Sequence, residues 1–252
     1  MKNKKSEDLL LKIVLFSIAI IPLVYFYKIE NVPIKGFILG AGSWGFGNIF
    51  KILAHHFVVV PLQRKKKNVI SISFINGFIS GFFELLASYL LIILTISKYD
   101  YDYNSIICFG LAIGSLETII VARSKGYDLL KGTSLEETSR KALEYLESVK
   151  GVNHYIFNLI LPVVERIIAT FLHISTRGLI FVTIITGNAL PALIALLVFI
   201  IADGVLGYYY NISGKLATGR GYVQLHVYLF ILALVNTIVF FILISPYKNV
   251  VL

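Results

Sequence analysis

Residues 165–186 read ERIIATFLHISTRGLIFVTIIT. The second half is almost wholly apolar. The first half carries Glu165, Arg166, His173 and Arg177. Wound as an α-helix at about 100° per residue, Arg166, Thr170, His173 and Arg177 fall at i, i+4, i+7 and i+11, which is one polar stripe. Glu165 lies about 80° round from His173, on the shoulder of that stripe. Whether the stripe faces water or the inside of a membrane bundle depends on the rest of the chain.

The rest is strongly apolar. Hydrophobic residues make up 57% of the 252, charged residues only 15%, and the mean hydropathy is +0.82. A soluble domain carries roughly 25% charged residues. Seven apolar runs, at about 9–27, 33–60, 69–97, 104–122, 153–187, 189–211 and 222–245, reach or approach the ~20 residues that cross a bilayer. Backbone groups in hydrocarbon must bond within their own segment, so the expected fold is all-α, a single multispan transmembrane bundle of about seven spans. The run at 153–187 is too long for a simple span and must tilt, leave the bilayer or break. The start MKNKK followed by an apolar run resembles a signal peptide, but KIENVP after it has no small-residue cleavage site, so the first run reads as an uncleaved span.

Net charge is +9. Its distribution accounts for it without nucleic acid. With the N-terminus inside, fifteen basic residues fall on inside segments, among them Arg64, Lys65, Lys66 and Lys67. Four fall outside: Lys28, Lys35, Lys98 and Lys248. This bias orients the chain with its N-terminus inside. One inside stretch, 132–151, reads as an amphipathic helix, with Thr133 or Ser134 as its cap, Glu136 or Glu137 as the reciprocal partner and Gly151 as its stop. The single cysteine, Cys108, excludes an internal disulfide and a cysteine-based zinc site.

Ionisable groups deep in a span cost about 2.5–3.5 kcal/mol each if left in lipid, so they turn inward and signal function. Those here are Glu84, Glu117, Glu165, Arg166, His173, Arg177 and Asp203, drawn from four spans. A His and carboxylates from separate helices can hold a divalent ion such as zinc. A further Glu can take a proton from metal-bound water, and an Arg can stabilise oxyanion charge. The same residues also support a plain alternative, in which Arg166 pairs with Glu84 or Glu117 in a dry structural network. Arg177 is within snorkelling reach of the outer headgroups. His154 and His226 sit near span ends and are expected to be wetted.

The order of these elements resembles the YhfC family of intramembrane metalloproteases, related to PrsW and the CAAX-type prenyl-protein proteases. FELLAS at 83–88 matches its first motif at Phe83 and Glu84, and GSLE at 114–117 matches the second. ERIIATFLHIS at 165–175 matches the third through Glu165, Arg166 and His173, and FIIAD at 199–203 matches the fourth at Asp203. The chain departs from the pattern at Leu85, where a second Glu stands, at Ser88 in place of Arg, and at Phe199 in place of a late His.

The resemblance implies a prokaryotic plasma-membrane hydrolase cutting membrane-embedded or lipid-near protein substrates with one zinc ion. Glu84 would be the base, Glu117 and His173 metal ligands, Arg166 an electrostatic support and Asp203 an orienting group. The departures imply instead a non-catalytic module on the same bundle: a pseudo-protease, a subunit of a membrane complex or a small transporter.

Overall fold

A computed structural model describes residues 2–65, 68–98, 101–123, 144–146, 148–149, 152–211 and 218–248. Seven helices are long and apolar enough to cross a membrane. They are α1 (Lys2–Lys28), α2 (Ile34–Arg64), α3 (Val69–Thr95), α4 (Tyr103–Arg123), α5 (Asn153–Thr186), α6 (Leu190–Asn211) and α7 (Gly219–Tyr247). No strand occurs among the described residues. The protein is an all-α, integral multispan membrane protein, and the exposed flanks of its helices contact lipid. The helix expected at 132–151 lies outside the described residues, apart from 144–146 and 148–149.

The over-long run at 153–187 resolves in a specific way. It is one helix whose early part widens into a π-turn at Ile156–Ile160, just before Pro162. α2 repeats the device, with a π-turn at His55–Val59 ahead of Pro61. Proline removes a backbone donor and crowds the preceding turn. A wider turn relieves that crowding while the helix continues. Gly187, in the left-handed region at φ +66, then ends α5.

α5 is the hub of the bundle. It packs on α1, α3, α4, α6 and α7, while α3 lies along α6 and α2 along α3 and α4. The main core, with Phe109, Phe181, Phe199 and Phe240, lies around the second half of α5. α4 comes closest to α5 through two glycines one turn apart. A Cβ on Gly110 would stand 2.5 Å from the Ile174 Cα, and one on Gly114 would stand 2.8 Å from the Thr170 Cα. Small residues permit this backbone contact in a bilayer, where no hydrophobic force draws helices together. It sets the rotation that aims Glu117 at the polar stripe of α5.

Candidate functional site

Polar residues of six helices, α2 to α7, meet in the middle of the bundle. They form two linked groups. The first is centred on Glu84 of α3, whose side chain is only 3% exposed. Its Oε2 accepts from Arg177 Nη2 at 2.8 Å, and its Oε1 accepts from Lys51 Nζ at 3.0 Å. Ser80, one turn earlier on α3, donates to the same Oε1 at 3.4 Å and lies beside Asp203 of α6. Both carboxylate oxygens of Glu84 therefore already serve cations. Arg177 is fully buried, so it does not extend toward headgroups. The Phe199 ring, whose centroid is 4.9 Å from the Arg177 Cζ, covers the guanidinium in a cation–π contact.

The second group is centred on Arg166. It bridges two carboxylates: Glu117 of α4, at 3.5 Å, and its own neighbour Glu165. A histidine flanks each carboxylate. His173 Nε2 lies 3.0 Å from Glu117 Oε2, and His226 Nε2 of α7 lies 3.5 Å from Glu165 Oε2. Glu117 and Glu165 keep 33% and 31% of their side chains exposed, so this half of the centre is open while the Glu84–Arg177 half is sealed.

The stripe on α5 is thus real, and its members are shared out between neighbours. Arg177 serves α3, His173 and Arg166 serve α4, and Glu165 serves α7. Of the residues read from the sequence, Glu117 meets His173 and Arg166, Arg166 also meets Glu165, and Glu84 meets Arg177. Asp203 stands near Glu84, Lys51 and Ser80. Among the described residues, no three His, Cys, Asp or Glu side chains are grouped as a metal would need. Phe199 points into the centre, with its ring centroid 6.0 Å from that of His173.

No family model, no curated protein and no solved structure matches the chain. Function must therefore be argued from the residues themselves.

Two members of the network were not legible as such. Lys51 stands inside a span, and that placement alone signals a carboxylate partner, but nothing in the spacing points to Glu84, 33 residues away. His226, expected to be wetted, is 4% exposed, two turns inside α7. A third polar contact, Asn236 Nδ2 donating to Ser175 Oγ at 2.5 Å, ties α7 to α5 below the ionic groups.

Proposed function

We propose that this protein is a non-catalytic membrane module with the bundle of an intramembrane metalloprotease, acting by binding within the bilayer. One observation carries the reading: the groups that would hold a metal and activate water are occupied by permanent cations. Glu84 is held by Arg177 and Lys51, and Glu117 by Arg166 with His173. A general base must have a free lone pair toward the water it deprotonates, and a metal must displace whatever neutralises its ligands. One imidazole and one Arg-paired carboxylate do not fit a catalytic zinc site, which takes three protein ligands. Leu85, Ser88 and Phe199 remove the further polar groups that the family pattern would supply at these positions.

An apolar groove of about 540 Å³ between α1, α4, α5 and α7 supports a binding role. Ile18, Leu111, Phe171 and Phe241 line it, and Thr170 from the polar stripe stands in its floor. An apolar segment held there would lie beside the polar centre. The bias of basic residues supports an orientation with the N-terminus inside, and the family resemblance supports a location in the plasma membrane of a prokaryote.

A metal-dependent endopeptidase is the second reading. It is favoured by the direct meeting of Glu117 and His173 across α4 and α5. Metal content separates the two. Elemental mass spectrometry on detergent-purified protein, dialysed against zinc and then washed, is expected to find no stoichiometric zinc in the wild type. Near-stoichiometric zinc that disappears in both Glu117→Ala and His173→Ala would replace the binding reading with the protease one.

A further inference from the structure

In the open half of the polar centre, Glu117 and Glu165 share Arg166, and each has a histidine beside it. Lys51 and Arg177 act on Glu117 as well, whereas the groups that act on Glu165 are Arg166 and His226. A carboxylate within a bilayer is costly unless paired, and a proton on a nearby base supplies a partner.

Two bases are available, and hydrogen-bond geometry separates them. His173 directs Nε2 at Glu117, but its Nδ1 is buried with no partner. The neutral Nε2–H form leaves only a lone pair there. Charging the ring would bury an N–H donor with nothing to accept it. His226 is different. Its Nδ1 lies 2.8 Å from the Tyr222 carbonyl oxygen, which can only accept, so Nδ1 carries a hydrogen. Its Nε2 is also buried without a hydrogen-bond partner, yet it faces a Glu165 oxygen 3.5 Å away. As a lone pair, that nitrogen would confront a carboxylate. As an N–H, it meets one.

We propose that His226 is a proton-binding site, held as imidazolium between the Tyr222 carbonyl and Glu165. The charged groups acting on it are Glu165 and Arg166, both on α5. The titratable side chains packed around its turn of α7 are Tyr209 of α6 and Tyr222 and Tyr228 of α7 itself, with the Tyr222 ring 4.7 Å from the imidazole. Glu165 keeps 31% of its side chain exposed, so the pair is not sealed inside the bundle. The bound proton ties α7 to α5, and releasing it unties them at this level. The proposal does not rest on the absence of catalysis.

Nitrogen-15 NMR of histidine-labelled, full-length protein in detergent at neutral pH tests it. The chain has five histidines. An imidazolium resonance is expected that is lost in His226→Gln and shifted to the neutral form in Glu165→Gln, in a His154→Gln background because His154 also faces a carboxylate, Glu7, at 2.8 Å. If His226→Gln cannot be recovered folded, replacing His55, His56, His154 and His173 one at a time assigns the remaining signal to His226. A spectrum in which His226→Gln removes only a neutral imidazole resonance would overturn the proposal. So would an imidazolium at His226 that is unchanged in Glu165→Gln.

Discussion

Glu84→Leu is expected to cost about 3–5 kcal/mol of stability, the usual penalty for leaving a buried charge without its partner. Arg177 has no exposed surface, and its Nη2 is 2.8 Å from the lost carboxylate. It cannot reach water, and its Nε already lacks a partner among the described residues. Lys51 suffers less, because its side chain is 30% exposed and can extend outward. The double variant Glu84→Leu, Arg177→Leu should therefore recover most of the loss, since replacing a whole buried pair by apolar residues is often neutral. Apparent melting temperature and monodisperse yield in a mild detergent measure both. A Glu84→Leu protein as stable as the wild type would mean that the ion pair does not hold α3 against α5.

The second large effect concerns the approach of α4 to α5. Gly110→Val should prevent recovery of folded protein. Its Cβ alone would stand 2.5 Å from the Ile174 Cα and 2.9 Å from the His173 carbonyl oxygen, so backbone must move. Overpacking in a core costs typically about 1–3 kcal/mol even where side chains can yield, and here they cannot. Separating the helices also pulls Glu117 from His173. Gly42→Val and Gly45→Val are the matched controls, because a Cβ at either position meets nothing within 4 Å. The result that would sink the argument is a Gly110→Val variant with the yield and melting temperature of those controls.

These two effects mark where sequence reading succeeds and where it stops. The spans were legible because apolar content is a local property, summed over a window of about 20 residues. The run at 69–97 became Val69–Thr95, and the run at 104–122 became Tyr103–Arg123. The stripe of Arg166, Thr170, His173 and Arg177 was legible because helical periodicity repeats within one segment. That Glu117 and His173 both turn inward was within reach as well, because each is an ionisable group inside an apolar run.

The choice of partners was not. Glu84 could have taken Arg166. It takes Arg177 and Lys51, from helices 93 and 33 residues away in the chain. His226 could have faced a wet helix end. It faces Glu165. Which segments cross the bilayer and which side chains turn away from lipid could be read along the chain, since both follow from transfer energies residue by residue. Which charge meets which could not. That depends on how each helix is rotated, and the rotation is set by backbone contacts such as those at Gly110 and Gly114.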